Sequence, residues 1–394
     1  MKVLFLTTCY KRSKDCFTMA PWLHILARNM VRRGIDVKVL APTDFGSKNI
    51  EIIDGVEIHR FQYWFNKSGQ RLAYGSGTLD NLRNSLLAFL QVPFYLFFFL
   101  VNALRLSRDT DVIHAHWAPS GLIGFFVKKL QGIPVYLTFR GSGLRYSSNW
   151  ILRLIASGVD VVNVDTRIYI DKLDSLKIDY NLMKTKLKYI DKSRFNSRIS
   201  SKSVIKEFGL EDNIVVTNVG RLVPDREIDI FIKSIPYILG SSNIQFKFLI
   251  VGEGPLYTQF IELSEKLGVR DSIIFTGNRP DINELYAASD IVCITECEWI
   301  CYSNVILESM EVGTPCLLPK NQDTEENWTN GYDCLLYKER DSADLASKVI
   351  QLINDKVLLK EMGFNCQKWC KNNGFYEEEV IGSTIETYRS LANA

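Results

Sequence analysis

Ile214-Val-Val-Thr-Asn-Val-Gly220-Arg221 is an apolar run that ends in Gly-Arg, and its reading decides the fold. Apolar on both faces and closed by a glycine, it reads as a buried parallel strand followed by a sharp turn. Leu222-Val223-Pro224-Asp225 leads to Arg226, and residues 228–239 then carry apolar positions at roughly helical spacing, with a helix start expected near Asp225 and Arg226. Two guanidiniums placed around such a strand-to-helix turn can converge on one anion, because each forks onto phosphate oxygens. A pair of solvated loop arginines is the plainer alternative for the fragment taken alone.

The same grammar repeats downstream. Residues 246–251 form a second apolar strand that runs into Gly252-Glu-Gly254-Pro255, with a helix expected over 256–267. Glycines at the carboxyl end of a strand let backbone approach a ligand where open α/β sheets bind it. Residues 273–277 and 290–294 read as further strands and 282–288 as a short helix. Ser303-Asn304 opens a helix through Val312 that Gly313-Thr-Pro315 stops. A helix N-terminus facing the carboxyl edge of a sheet attracts phosphate, and Glu308 just inside it can accept hydrogen bonds from two ribose hydroxyls.

Four segments together resemble the family 4 retaining glycosyltransferases of GT-B fold: Gly220-Arg221-Leu-Val-Pro-Asp-Arg226, Val251-Gly-Glu-Gly-Pro255, Leu285-Tyr-Ala-Ala-Ser-Asp290, and Asn304-Val-Ile-Leu-Glu308-Ser-Met-Glu-Val-Gly-Thr-Pro315. Upstream, Asp111-Val-Ile-His-Ala-His116-Trp-Ala-Pro-Ser-Gly121, Gly132-Ile-Pro-Val135 and Thr138-Phe-Arg-Gly-Ser142 resemble the acceptor-side half of that family. The likeness spans nearly the whole chain, and the ordered series is more specific than any one motif. It implies an α/β fold of two Rossmann-like domains with parallel sheets facing a central cleft. Residues 1–195 are then the acceptor-side domain, 196–374 the nucleotide-sugar-binding domain, and 375–394 a terminal helix returning to the first. Tyr189-Ile-Asp-Lys-Ser-Arg-Phe195 resembles the hinge of the family. The implied reaction moves a sugar from a UDP- or GDP-linked donor to a hydroxyl of a glycan, a lipid-linked acceptor or a small molecule. Anomeric configuration is retained, with no metal and no cofactor beyond the donor.

Roles carry over only where residues match. Arg221 falls where the diphosphate-binding arginine of the family lies, and Arg226 where its phosphate-binding lysine lies. With Arg140 these are the catalytic candidates. Gly220, Gly252, Gly254, Asn304 and Glu308 complete the implied donor site. Glu308 matches the second acid of a Glu-x7-Glu motif whose first acid would fall on Ile300, and isoleucine cannot accept a hydroxyl hydrogen bond. The loop from Thr295 to Tyr302 reads as slightly longer than usual, which makes Glu298 the substitute acid and Glu296 the second choice. Arg140-Gly141 stands where many members have His-Gly, and Phe17-Thr18 where they often have Gly-Gly. An arginine there holds an anion but does not readily donate a proton. These departures keep two rival readings open: a catalytically silent member that binds a nucleotide sugar or a partner enzyme, and a sugar-nucleotide epimerase. The second would want further acid/base carboxylates and histidines near the cleft, and only four histidines are present.

On the acceptor side the candidates are Tyr74, His116 and Arg140. Tyr74 lies in the polar, glycine-containing stretch 67–77, which reads as an acceptor-shaping loop or a plain connection. His116 lines a strand end or is satisfied within core and loop, the two readings standing level. Residues 84–106 are the most apolar stretch, but Gln91, Pro93 and Asn102 limit its uninterrupted core, short of the ~20 residues a span needs. A buried helix packed on the first sheet is expected. The alternative is a face resting on a membrane, flanked by Arg83, Arg105 and Arg108, that brings the acceptor pocket to the lipid surface.

Composition agrees with this class. A chain of 394 residues is long enough for two cores. Lys plus Arg at 47 against Asp plus Glu at 45 leaves +2, which implies no strong pull toward nucleic acid. Nine cysteines and no signal-peptide pattern indicate a reducing, cytoplasmic location, peripheral on the membrane in the alternative above. Cys293, Cys297 and Cys301 recur every four residues but lack a completing ligand, and, like Cys366 and Cys370, are read as small hydrophobic filler. In the first half, strands are expected over 2–6, 37–41, 56–61, 111–114, 135–139 and 159–164, with a helix over 21–33. A last helix is expected over 377–391. The leaving diphosphate would be stabilised by the arginines and a helix N-terminus, with no protein nucleophile and no general base named.

Overall fold

The computed structural model describes residues 1–13, 20–74, 78–139, 148–164, 167–177, 182–183, 188–241, 244–297 and 303–394. The chain forms two compact units, one of Met1–Leu187 with Ile381–Ala394 and one of Lys188–Val380.

The first unit runs β1 (Lys2–Leu6), α1 (Pro21–Arg32), β2 (Asp36–Pro42), β3 (Ile50–Ile53), β4 (Val56–Phe61), α2 (Thr78–Asn84), α3 (Leu86–Leu106), β5 (Val112–His116), α4 (Trp117–Gln131), β6 (Val135–Thr138), α5 (Asn149–Gly158), β7 (Val161–Asn163), α6 (Arg167–Ser175) and β8 (Leu182–Met183). Its eight strands lie in the order β3-β4-β2-β1-β5-β6-β7-β8. All pairs are parallel except β3 with β4. That hairpin turns on Asp54-Gly55, both at positive φ (51° and 82°), the geometry in which a two-residue turn matches strand twist. The sequence reading missed β3, although Asp-Gly between isoleucine-rich runs carried the signal.

The second unit contains α7 (Lys202–Phe208), β9 (Ile214–Val219), α8 (Ile228–Gly240), β10 (Phe246–Val251), α9 (Tyr257–Lys266), β11 (Ile273–Gly277), α10 (Ile282–Ala288), β12 (Ile291–Cys293), α11 (Asn304–Val312), β13 (Cys316–Lys320), α12 (Gln322–Asn327), β14 (Cys334–Lys338), α13 (Ser342–Asn354) and α14 (Lys356–Asn372). The last helix, α15 (Glu377–Ala392), begins in this unit and ends in the first. The sheet order β11-β10-β9-β12-β13-β14 is wholly parallel. Strands and helices alternating along the chain require such crossovers, so this is a doubly wound α/β unit. Its core packs Val216, Phe231, Ile235, Phe248, Val292 and Leu307, each side chain contributing about 1.5–3 kcal/mol on burial. Cys293, Cys316, Cys334, Cys366 and Cys370 are fully buried in the same core, as small apolar groups. Helix α8 starts at Ile228, not near Asp225. Pro224–Arg226 make a 3-10 turn and Glu227 adopts φ 47°, which breaks helical continuity.

In the first unit, His114 joins the terminal helix to the sheet. Its Nε2 meets the Thr138 hydroxyl at 2.7 Å, and its Nδ1 meets the hydroxyl of Tyr388 from α15. Helix α3 departs from expectation. Gln91, Pro93 and Asn102 do not interrupt it, and by length and composition it is long and apolar enough to cross a membrane. Nor is it a buried helix. Only the strip Ala88, Gln91, Tyr95, Phe99 and Ala103 is buried, at the three- and four-residue spacing of one helical face. Phe99 stacks on Phe61 at 4.8 Å. Gln91 donates to the Gly69 carbonyl at 2.7 Å and accepts from the Arg71 N–H at 2.8 Å, which fixes the stretch before α2 onto the helix. Gln91→Leu, although it makes an apolar helix more apolar, is therefore expected to lower stability by about 1–3 kcal/mol, because two backbone groups lose their partner. Urea denaturation measures this, and an unchanged midpoint would refute the anchoring role.

Candidate functional site

In the second unit the strand order reverses between β9 and β12, and open α/β sheets leave a crevice outside the carboxyl ends of strands at such a point. The residues leaving β9 are Gly220-Arg221, and those leaving β12 are Ile294-Thr295-Glu296. Asn218, a polar residue inside an otherwise apolar strand, joins the two ends. Its amide donates to the Cys293 carbonyl at 2.9 Å and to the Thr295 hydroxyl at 3.2 Å. That hydroxyl donates in turn to the Arg226 carbonyl at 2.8 Å, so the turn carrying Arg226 is fixed to the end of β12. A pocket forms here, lined by Asn218, Val219, Arg226, Thr295, Glu296 and Ser303 among others.

Arg226 enters this pocket, its aliphatic stem beside Gly220 and its guanidinium paired with the Glu296 carboxylate. Glu296 is almost fully buried. Burial pushes its carboxyl up, while the Arg226 charge and a hydrogen bond from the Ser303 hydroxyl pull it down. Ser303 is the N-cap of α11 but makes no side-chain bond to its own helix. The pocket thus gathers a cation, an anion and the start of a helix whose first N–H groups suit an anion. Arg221 is exposed and is not among the lining residues.

Gly252 and Gly254 have a backbone reason to be glycine. A Cβ on Gly252 would stand 2.0 Å from the Gly220 carbonyl oxygen, and one on Gly254 would stand 2.4 Å from that of Leu222. Leu222 N–H donates to the Glu253 carbonyl at 2.9 Å, and Leu256 N–H to the Leu222 carbonyl at 3.1 Å. The close approach these glycines permit is that of the 220–222 turn itself.

Glu308, one turn inside α11, accepts from the Tyr286 hydroxyl of α10 at 3.2 Å. Burial raises its carboxyl to about 7, against the opposing pull of the Arg194 guanidinium and that hydroxyl. Asn304 is exposed at the start of α11. On the acceptor side, Tyr74 has a structural contact of its own. It is buried at φ 69°, and its hydroxyl donates to the Pro42 carbonyl at 2.7 Å. His116 is buried at the end of β5, its ring 3.9 Å from that of His114 and 5.1 Å from that of Phe5. Arg140, Glu298, Ile300, Cys301 and Phe17-Thr18 lie outside the described residues. Among the described residues no cluster of His, Cys, Asp or Glu could hold a metal ion. The sequence reading placed Ser303 at the opening of α11 but missed Asn218, Thr295 and Arg194 as site residues. Only Asn218 was visible in principle, as an amide in a buried strand.

The second unit is thus a doubly wound α/β unit with a polar pocket at its strand-order reversal, and comparison with known proteins places the chain. Residues 201–369 match the family described as glycosyl transferases group 1, and residues 18–179 match the glycosyl transferase 4-like domain. The chain belongs to the group 1, family 4 glycosyltransferases, and its two Rossmann-like units are those of the GT-B fold. It is 24% identical over 289 residues to the N-acetyl-alpha-D-glucosaminyl L-malate synthase of Bacillus anthracis, covering 71% of this chain and 74% of that one. It is 25% identical over 290 residues to the UDP-Gal:alpha-D-GlcNAc-diphosphoundecaprenol alpha-1,3-galactosyltransferase of Escherichia coli, covering 68% and 73%. The HepE protein of Anabaena, solved in complex with UDP and glucose, shares the fold with a TM-score of 0.76 at 17% identity, covering 99% of this chain and all of that one.

The two arginines should separate in a stability assay. Arg226→Ala strips a nearly buried carboxylate of its partner and is expected to cost about 1–3 kcal/mol, whereas exposed Arg221→Ala should stay within about 0.5 kcal/mol. Equal melting temperatures for the two variants would contradict the ion pair. For Glu308 the folded state holds its proton more tightly than the unfolded chain, so this group costs stability as pH rises from about 4.5 through about 7. Glu308→Gln removes that loss. The variant should be more stable than the native chain at about pH 8, by on the order of 1–3 kcal/mol in unfolding free energy, and match it near pH 4, as urea denaturation at the two pH values measures.

Proposed function

We propose that this protein transfers a sugar, with retention of anomeric configuration and without a metal ion, from a nucleotide diphosphate sugar to a hydroxyl acceptor in glycan or glycolipid biosynthesis. The observation that carries the reading is Arg226 beside the α11 N-terminus, at the strand-order reversal of the second unit. Charge builds on diphosphate oxygens as the nucleotide leaves, and a guanidinium with oriented N–H groups meets that charge without rearranging. Arg221, exposed at the same turn, closes on the outer phosphate; Arg140 is assigned to the acceptor side. Gly220, Gly252 and Gly254 shape the turn, and Asn304 presents the start of α11 to the diphosphate. Glu308 takes the ribose hydroxyls. UDP is favoured as the carrier, in keeping with the UDP named for the Escherichia coli relative and for the Anabaena protein.

Glu296 is the acid brought to the pocket, and in this reading it accepts a hydroxyl of the transferred sugar in place of Glu298. Before the donor arrives it neutralises Arg226, and the incoming phosphate takes over that cation. Seven described cysteines are unpaired thiols, which supports a reducing, cytoplasmic setting. The second reading is a silent binder, favoured by Ile300 in the place of an acid and by the Arg226–Glu296 pair.

Incubating the full chain with UDP-glucose, UDP-galactose, UDP-N-acetylglucosamine and GDP-mannose separates the readings. Nucleotide release with an α-linked product from an α-linked donor supports retaining transfer. A raised melting temperature without release supports the silent binder, and a changed sugar without release supports an epimerase. Arg221→Ala should weaken UDP binding by roughly tenfold or more with folding intact. An unchanged affinity would remove it from the donor site.

A further inference from the structure

Helix α3 turns the usual order of a surface helix inside out. Its buried strip holds the polar Gln91, while its outer face presents Leu86 (76% exposed), Phe89, Leu90, Phe94, Phe97 (61%) and Val101. Surface helices of globular proteins put polar residues outward, and a contiguous exposed apolar patch marks a contact site. The patch extends beyond the helix. Phe94 meets the Trp64 ring edge-on at 5.4 Å, and Trp64 meets Phe65, itself 86% exposed, at 5.0 Å. Helix α4, packed beside α3, carries exposed Phe126 and Leu130 of its own, and α5, packed beside α4, carries exposed Trp150.

The charges carried by these three helices have one sign. None of the three helices contains an Asp or Glu, although the chain has 45 of them. Arg105, Lys128, Lys129 and Arg153 lie within the helices, and Arg108 follows α3. Lys128 pairs with Asp160 at 2.9 Å, while Arg105, Arg108, Lys129 and Arg153 are exposed. Apolar side chains fringed by cations, with tryptophan at the margin, suit a surface whose apolar layer lies under anionic headgroups. A second copy fits poorly, because two-fold pairing would set one basic fringe against another. Spanning fits poorly too. The buried strip, both Gln91 hydrogen bonds and the Phe61–Phe99 stack hold α3 along the sheet.

We propose that the face formed by α3, α4 and α5 docks this chain onto an anionic lipid surface, lying in the membrane interface without crossing it. This goes beyond the transfer reaction. Docking is measured with no nucleotide present, so either conclusion can fail alone.

The test is cosedimentation of the full chain with vesicles of phosphatidylcholine, with and without phosphatidylglycerol. Partitioning onto the phosphatidylglycerol vesicles should be roughly tenfold stronger, and should weaken as salt is raised. The double variant Phe89→Glu/Phe97→Glu should lose roughly tenfold or more of that binding at an unchanged melting temperature, since both side chains are exposed. Arg105→Glu/Lys129→Glu, which keeps the apolar patch, should abolish the preference for the anionic vesicles. The proposal is overturned by no sedimentation with either vesicle, by equal partitioning onto both, or by binding that neither double variant alters. A dimer that Phe89→Glu/Phe97→Glu dissociates, with no vesicle binding by the native chain, would also overturn it and assign the face to a second copy.

Discussion

The amide of Asn218 ties the ends of β9 and β12 together, and the site of the second unit depends on that tie. Where the strand order reverses, the two strand ends diverge into different loops, and nothing in a parallel ladder fixes one loop against the other. Asn218 reaches across the gap, and Thr295 extends the link to the backbone of Arg226. The main chain of Arg226 is thereby held, and its guanidinium is set by the ion pair with Glu296. Zipped beside it, the 252–254 loop leaves the 220–222 turn little freedom. Such positioning is what an anion site requires, since a donor already in place loses little entropy when the ligand arrives.

Electrostatics at Glu296, which lines the pocket, and at Glu308, which does not, follow from burial. Glu296 and Glu308 both lie where a charge loses hydration, and both carboxyls are raised by it. They differ in company. Glu296 faces a guanidinium and the Ser303 hydroxyl, so a cation offsets its desolvation. Glu308 accepts from the Tyr286 hydroxyl, and Arg194 acts on it electrostatically.

The first unit shows a different economy of polar groups. His114 uses both ring nitrogens to join sheet and terminal helix, and Tyr74 closes its own loop through the Pro42 carbonyl. Both groups are occupied by structure. Gln91, by contrast, reads as an interruption of an apolar segment and is the anchor that leaves the apolar side of α3 facing out.

Sequence alone determined the alternation of strands and helices, because a strand buried on both faces is apolar throughout and a helix is apolar on one stripe. It marked Gly220, Arg221, Arg226, the start of α11 and Glu308 as one constellation, through arginine, glycine and capping chemistry that is local in the chain. Tertiary structure decided which of these groups share a pocket. Arg226 meets Glu296 across 70 residues, and Glu308 meets Tyr286 across 22, distances over which no periodicity or propensity carries information. It also decided that Tyr74 turns inward, that Gly252 and Gly254 serve the neighbouring turn, and which side of α3 is covered. An all-apolar helix has no stripe to predict from, so only its packing partners can choose the buried face.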